Sequence, residues 1–300
     1  MLPPEIIKKI KKIHIKSGRL VNTMMAGQYK SVFRGSGIEF EEVREYSPGD
    51  EVQSIDWKVT ARLGQPYVKR YKEERELVMM LLIDMSASGQ FGTQENLKTE
   101  SAAEIASILA FNAIRNNDRV GAILFTSEVE KYIPPRKGAS HVWRVIKEFF
   151  TFTPNYKGTD VEAAVQYLGH VCRKKTVSFL ISDFLPGIMV QDYARKLKIT
   201  AKKHELISIM LTDPGEFILP DAGLCAIEDF ETGELIFIDA SDKKTRAGFT
   251  QLKKRECQTT LETIQNCGVD VIQISTTESA ADALTRYFRF REIHRSRAIK

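Results

Sequence analysis

Five oxygen-bearing side chains stand at positions where a sheet of parallel strands would bring them together. Three of them form the pattern Asp84-x-Ser86-x-Ser88, directly after a nearly unbroken apolar run. Thr159 precedes a predicted helix, and Asp183 directly follows another predicted strand and one serine. Because the carboxyl ends of parallel strands meet at one rim of the sheet, we expect all five to lie there. The set holds no nitrogen or sulfur donor, so it favours Mg²⁺ or Mn²⁺ over Zn²⁺.

The residue types in this set favour binding over catalysis. If the hydroxyls of Ser86, Ser88 and Thr159 bind the ion directly, the ion keeps most of its positive charge. Asp84 and Asp183 would then hold it largely through water. Such an ion attracts an anionic oxygen, which an acidic residue of a partner protein would supply. The alternative is that the two serines cap a turn and that Asp84 only ends a strand.

The elements that position these residues alternate between strands and helices. This order is typical of a mainly parallel sheet covered on both faces, so we predict a three-layer α/β domain of Rossmann-like topology. Apolar runs predict strands at 77–83, 120–125, 177–181, 206–211 and 269–274. Helical periodicity predicts helices at 99–116, 141–150, 161–172, 191–203, 250–266 and 280–294. Residues 226–238 predict a hairpin that adds to an edge of the sheet.

A leader precedes this domain, and we predict the division as 1–75 and 76–300. Its first part, residues 3–20, has isoleucines at helical spacing among lysines and predicts an amphipathic helix. Glycine-punctuated runs after residue 28 predict a small β-rich unit with tight turns. Trp57 has two interpretations: an exposed recognition surface with its neighbours, or a buried side chain beside a pair of Asp56 with Arg62. The buried arrangement is the favoured one.

Composition excludes several classes of protein. The chain has 300 residues, 43% of them hydrophobic, so it is long and apolar enough for a folded core. Its net charge of +5 comes from 44 basic and 39 acidic residues, an excess too small to require nucleic acid. The four cysteines form no C-x-x-C pair and favour reduced thiols. Lysines interrupt the N-terminal apolar residues, and no apolar stretch of about 18 residues occurs, so we expect a soluble cytoplasmic protein.

The common enzyme motifs are absent from the sequence. It holds no G-x-x-x-x-G-K-[ST], no G-x-G-x-x-G after a strand and no G-x-S-x-G, so we expect no enzymatic activity. A metal-dependent phosphatase-like hydrolase is the enzymatic alternative, but Ser86 stands where the haloacid dehalogenase class has its acidic second aspartate. Basic stretches at 8–16 and 286–297 leave nucleic-acid binding as a third alternative.

Two family resemblances cover most of the chain. In order and approximate spacing, Asp84, Ser86, Ser88, Thr159 and Asp183 resemble the metal-ion-dependent adhesion site of von Willebrand factor type A domains. Several further motifs resemble the bacterial domain-of-unknown-function family fifty-eight, in which such a leader precedes a type A-like domain. These motifs are FRGSGIEF at 33–40, YSPGD at 46–50, IDW at 55–57, NDRVG at 117–121 and PPRKG at 134–138.

The resemblance implies a fold, a cofactor and a partner. It implies a type A-like α/β domain that binds a protein through Mg²⁺ or Mn²⁺ at an adhesion-type site. It also implies a MoxR-type AAA+ ATPase as the partner, with the chain as an adaptor between the ATPase and a client. One position departs from the pattern: Phe184 follows Asp183 where many type A domains have glycine. We expect this side chain to crowd or reshape the rim of the site.

Overall fold

The computed structural model describes residues 37–74, 77–93, 97–184, 190–228 and 233–298. The predicted leader helix and residues 33–36 of the first leader motif lie outside these ranges. The described residues divide into two compact units, one from 37 to 77 and one from 78 onward. The predicted division at residues 75 and 76 stays a prediction.

The first unit is a hairpin of two antiparallel strands, β1 (Gly37–Glu45) and β2 (Tyr67–Glu74), with a short helix α1 (Trp57–Leu63) between them. Asp56 caps the helix by accepting hydrogen bonds from the backbone N–H groups of the second and third helical residues. The favoured prediction that Trp57 is buried is wrong, since Trp57 is 67% exposed. Asp56 contacts Lys69 at 3.5 Å and not Arg62, because its carboxylate is already aimed at the helix start.

The second unit is built on a six-stranded sheet, which confirms the predicted α/β class. The strands are β3 (Val78–Asp84), β4 (Arg119–Phe125), β5 (Val129–Arg136), β6 (Val177–Ser182), β7 (Glu205–Thr212) and β10 (Asp270–Ser275). Their order in the sheet is β10-β7-β6-β3-β4-β5, and all neighbours run parallel except β4 and β5. The middle strands are almost wholly buried, as a sheet covered on both faces requires.

Two helical layers cover this sheet and give the three predicted layers. Helix α2 packs against α3 and α7, while α5 packs against α4 and α6. The helices are α2 (Lys98–Arg115), α3 (Ala139–Thr151), α4 (Val161–Val171), α5 (Val190–Lys203), α6 (Lys243–Asn266) and α7 (Ala280–Ala298). Among the described helices, none is both long and apolar enough to cross a membrane.

The strand order reverses at β3, and this reversal determines where a site can form. The chain goes from β3 to β4 on one side, and later returns to place β6 on the other side. The connection after β3 leads toward β4 and the connection after β6 leads toward β7, in opposite directions, so a crevice opens between the carboxyl ends of β3 and β6, which is where open α/β sheets bind ligands. Asp84 ends β3 and Asp183 follows β6, so both aspartates lie at this switch point.

Two features differ from the sequence predictions. Strand β5 was not predicted, because Pro134 and Pro135 cannot donate to a ladder; it is tolerated as the antiparallel edge of the sheet. The predicted hairpin forms from β8 (Leu224–Glu228) and β9 (Leu235–Asp239), but these strands make a separate two-stranded sheet. Its predicted addition to the main sheet is wrong, since β10 occupies one edge and the proline-bearing β5 the other.

Candidate metal centre at the switch point

Asp84 is held at the end of β3 by two hydrogen bonds. Its Oδ1 accepts the backbone N–H of Ser86 at 2.9 Å, and its Oδ2 accepts the hydroxyl of Ser182 at 2.6 Å. Only 7% of Asp84 is exposed. The first hydrogen bond closes a turn directly after the strand, a role that short polar side chains commonly have. The carboxylate is therefore fixed in position without facing open solvent.

Ser86 and Ser88 lie together in the turn that follows. Their hydroxyl oxygens are 3.0 Å apart, and each residue is 1% exposed. Ser86 stands immediately before a short 3-10 helix that contains Ser88, yet its side chain makes no capping bond to that helix. The alternative in which Ser86 serves as a helix cap is therefore not what the structure shows. The two hydroxyls converge on each other at the rim of the sheet.

The segment that carries Thr159 lies against the same turn. The carbonyl of Lys157 accepts a hydrogen bond from the backbone N–H of Ala87 at 2.8 Å, between the two serines. On the other side of Thr159, Asp160 donates its N–H to the carbonyl of Thr126 and caps α4 through its side chain. Thr159 itself is half-buried. These anchors bring its segment to the cluster, and ligation by its hydroxyl stays a prediction.

Asp183 has a partner that sequence reasoning missed. The ammonium of Lys98 lies 2.9 Å from its Oδ2 and also pairs with Glu216. The side chains of Lys98 and Asp183 are 1% and 5% exposed, so the ion pair is buried. Burial lowers the pKa of Lys98, but the charges of Asp183 and Glu216 outweigh burial and leave that pKa above its ordinary value. The centre therefore contains a cation from the chain itself.

Lys98 is the first residue of α2, and this position is the signal that could have revealed it. A lysine in the first helical turn faces the positive end of the helix dipole and is unfavourable there unless acidic groups compensate for it. Glu216, by contrast, gives no such signal. It is positioned by a capping box with Asp213, whose N–H donates to Glu216 Oε2 at 2.8 Å. Asp213 lies far along the chain from Lys98, so only the fold brings these groups together.

Phe184 takes up a strained backbone conformation beside the cluster. Its φ is +49°, in the left-handed region that favours glycine. Its N–H donates to the hydroxyl of Ser182 at 3.0 Å, and that hydroxyl in turn donates to Asp84. The side chain is 3% exposed and lies near the ring of Tyr193. Phe184 therefore affects the rim of the site through its backbone conformation, while its aromatic ring is buried.

The negative charges of the centre are close enough to affect each other. Burial, and to a smaller extent the charge of Asp183, raise the pKa of Asp84 to about 7 against the opposing effect of the hydrogen bonds from Ser182 and Ser86. A carboxylate destabilised in this way would be stabilised by a nearby cation. Lys98 supplies one positive charge, which Asp183 shares with Glu216.

The donor set fits a small divalent ion. Octahedral Mg²⁺ binds oxygens at about 2.1 Å, which places adjacent ligand atoms about 3 Å apart. The hydroxyls of Ser86 and Ser88 form a hydrogen bond of 3.0 Å, a separation that two adjacent ligands of such an ion would also have. Within the described parts of the chain, no three His, Cys, Asp or Glu side chains are grouped to hold a metal ion. Ligation of an ion by the hydroxyls of Ser86, Ser88 and Thr159 stays a prediction.

Comparisons with known proteins give a family and several relatives. The family model described as "Protein of unknown function DUF58" matches residues 42–259. The uncharacterized protein Rv1480 of Mycobacterium tuberculosis is 28% identical over 275 residues, covering 91% of this chain and 86% of that protein. The uncharacterized protein YeaD of Bacillus subtilis is 28% identical over 106 residues, 35% of this chain and 24% of that protein.

Solved structures are similar at lower identity. The conserved hypothetical protein BatB from Bacteroides thetaiotaomicron is 14% identical with a TM-score of 0.47, covering 72% of this chain and 98% of that chain. A von Willebrand factor type A structure from Catenulispora acidiphila is 9% identical with a TM-score of 0.41, covering 75% of this chain and 43% of that chain.

Proposed function

Because the chain belongs to the DUF58 family, whose description assigns no activity, we propose a function for it from the geometry of its own centre. The protein is a non-enzymatic interaction module that binds a partner protein through a Mg²⁺-dependent site. Ser86, Ser88 and Thr159 hold the ion directly, and Asp84 and Asp183 hold it through water. When bound, the ion supplies an open coordination position for an acidic side chain of the partner.

The observation that carries this proposal is the pair of buried hydroxyls beside a carboxylate with a raised pKa. The hydroxyl oxygens of Ser86 and Ser88 are 3.0 Å apart, and burial together with the charge of Asp183 raises the pKa of Asp84 to about 7. Hydroxyl ligands add no negative charge, so an ion held by them remains strongly attractive to an anion. Burial and the neighbouring charge of Asp183 both disfavour the ionised form of Asp84. A divalent cation would offset both.

The same geometry argues against the phosphatase alternative. A nucleophilic aspartate needs an ionised oxygen that faces its substrate. Both oxygens of Asp84 accept hydrogen bonds within the protein, and burial raises its pKa. Ser86 has no acidic proton to give at neutral pH, so a leaving group would lack its general acid. The proposal therefore assigns binding to this centre and no chemical step.

The proposed partner follows from the family resemblance and from the chemistry of the site. A MoxR-type AAA+ ATPase, or its client, would present an aspartate or glutamate to the ion. The chain would then act as an adaptor, holding a client near the ATPase. The two units of the chain suit such a role, since each has a fold of its own within the described residues.

A pull-down from native lysate tests this function. Wild type, Asp84→Ala and a control, Glu262→Ala, serve as baits in Mg²⁺ and in EDTA, and mass spectrometry identifies captured proteins. Glu262 is an exposed carboxylate on α6, so its loss leaves the centre intact. We expect wild type and Glu262→Ala to capture an AAA+ ATPase in Mg²⁺ only, and Asp84→Ala to lose it in both buffers.

Identical captures by every bait in both buffers would contradict a metal-bridged interaction. The partner would then bind another surface, and the oxygen cluster would have a different role. Thermal melting of the three baits excludes unfolding as the cause of any loss.

A further inference from the structure

A large cavity opens beside the candidate metal centre. Its volume is about 730 Å³, within the range of pockets that take a ligand or several side chains. The wall is formed mainly by apolar side chains from β7, from β8, from α6 and from the loops that follow β3, β6 and β7. The largest of these side chains are Phe91, Phe184, Met210, Phe217, Ile227 and Phe249.

The cavity and the centre share residues. Ser88, Lys98 and Asp183 belong to the wall of the cavity and also to the cluster at the switch point. A group bound at the centre would therefore stand at one end of the cavity, with the apolar wall extending away from it. This continuity means that a single partner segment can occupy both.

Exposed apolar side chains at the hairpin favour a polypeptide over a free small molecule. Leu224 is 72% exposed and precedes Cys225, which lines the cavity. Phe237 is 67% exposed and pairs across the hairpin with Ala226, another wall residue. Ile218 lines the cavity and is 62% exposed. A small molecule inside the cavity would leave these side chains in water, whereas a protein surface would cover them.

The charges of the cavity wall determine which kind of partner side chain can bind beside the centre. Among the described wall residues, Lys98 and Lys253 face the three carboxylates Asp183, Glu216 and Glu256. One negative charge is left over, so the wall alone does not attract an acid. Asp84 of the centre adds a second negative charge, and a divalent ion bound there offsets both. Acidic and apolar groups are therefore accepted together when the ion is bound.

We propose that the cavity binds large apolar side chains of the partner, within a few residues of the acidic side chain that the centre binds. This inference rests on the proposed function and names the chemistry of the segment that the site selects. Apolar contact in the cavity supplies affinity, and the ion fixes the register of the segment.

A random library tests the inference without knowledge of the partner. Phage-displayed twelve-residue peptides are selected on the full chain in Mg²⁺ and, in parallel, in EDTA. Selected peptides are synthesised, and their affinity is measured by fluorescence polarisation for wild type, Phe249→Glu and Leu252→Glu. Phe249 lines the cavity, while Leu252 is 54% exposed on the same helix and is not a wall residue. The two variants therefore place the same charge on α6, one inside the cavity and one outside it.

We expect peptides that combine an acidic residue with large apolar residues, bound at least tenfold more weakly by Phe249→Glu than by wild type and unchanged by Leu252→Glu. Thermal melting establishes that both variants fold. If Phe249→Glu does not fold, alkylation of wild type replaces it. Bound peptide should then slow modification of Cys225, a wall residue that is half-buried, at least tenfold.

The other outcomes separate this inference from the proposed function. Apolar peptides that bind equally in EDTA and are lost in Phe249→Glu would support the cavity and contradict the metal site. Acidic peptides that require Mg²⁺ but bind Phe249→Glu as well as wild type would overturn the inference and leave the metal site standing. Recovery of no peptide in either buffer would overturn the inference as well.

Discussion

Replacing Lys98 with methionine is the perturbation that the structure constrains most tightly. Methionine keeps most of the volume of the side chain but removes the ammonium that pairs with Asp183 at 2.9 Å and with Glu216. Because the lysine side chain is 1% exposed, water cannot replace it. Removing one partner of a buried ion pair costs about 3–5 kcal/mol, because the remaining charge is left uncompensated. For a unit of this size, about 2–4 °C per kcal/mol predicts a fall in melting temperature of about 6–20 °C in EDTA.

Divalent metal should recover part of this loss. A ligand at about one hundred times its Kd stabilises the folded state by about 2.7 kcal/mol. With Lys98 absent, Asp183 and Glu216 attract a cation more strongly, so we expect Mg²⁺ to raise the melting temperature of Lys98→Met more than that of wild type. Differential scanning calorimetry in Mg²⁺ and in EDTA measures both effects.

Lys131→Met is the matched control. Lys131 pairs with Glu148 at 2.6 Å, but its side chain is 39% exposed, so its loss should cost about 1 kcal/mol or less. Equal losses for Lys98→Met and Lys131→Met would refute the assignment of a buried compensating charge. A large fall in the melting temperature of Lys98→Met that Mg²⁺ does not reduce would support the buried ion pair and contradict a metal ion at the centre.

Three further predictions concern stability. Burial lowers the pKa of His204 from 6.5 to about 4, so protonation of the unfolded chain should reduce the free energy of unfolding by about 3 kcal/mol as the pH falls from 6.5 toward 4. His204→Gln should remove this reduction, measured by urea unfolding at pH 7.5 and 4.5, and an unchanged pH dependence would contradict it. Gly121→Ala should lower the free energy of unfolding by about 1–3 kcal/mol, because the added Cβ would lie 2.8 Å from a backbone oxygen. Gly169→Ala, in a helix with open space around it, should raise the free energy of unfolding by about 0.5–1 kcal/mol, and equal shifts of the melting temperature in the two variants would contradict this. Phe184→Gly should be at least as stable as Phe184→Ala in urea unfolding, since the φ of +49° penalises alanine by about 1 kcal/mol, and a clearly less stable glycine variant would contradict the strain.

The sequence was sufficient to predict the alternation of strands and helices and the position of the cluster. Buried parallel strands such as β3 and β6 are continuous apolar runs, and the helices that cover them show helical periodicity, so both signals are local. The placement of Asp84 and Asp183 then follows from one general property of open α/β sheets. Strand β5 escaped prediction because its two prolines contradict a strand everywhere except at an edge, and edges are decided by the whole sheet.

The parts of the centre that sequence could not reveal depend on distant contacts. Lys98 and Glu216 lie 118 positions apart, and only the fold brings Asp183 and Glu216 together as partners of Lys98. The position of Lys98 at a helix start hints at acidic partners, but the sequence around it identifies neither those partners nor its burial. The exposure of Trp57 was mispredicted because large aromatic side chains are usually buried on average. The burial of Lys98 and the exposure of Trp57 both depend on how distant parts of the chain pack, and such packing leaves no periodic pattern in the sequence.

Direct binding of Mn²⁺, followed by electron paramagnetic resonance, tests the central claim. Wild type, Ser86→Ala and Ser241→Ala are titrated, with Mg²⁺ added as a competitor; Ser241 is an exposed serine before α6 and serves as the control. We predict one Mn²⁺ per chain that Mg²⁺ displaces, the same affinity in Ser241→Ala, and at least tenfold weaker binding in Ser86→Ala. Wild type that binds no Mn²⁺, or Ser86→Ala that binds it as tightly as wild type, would contradict a hydroxyl-held ion at the switch point.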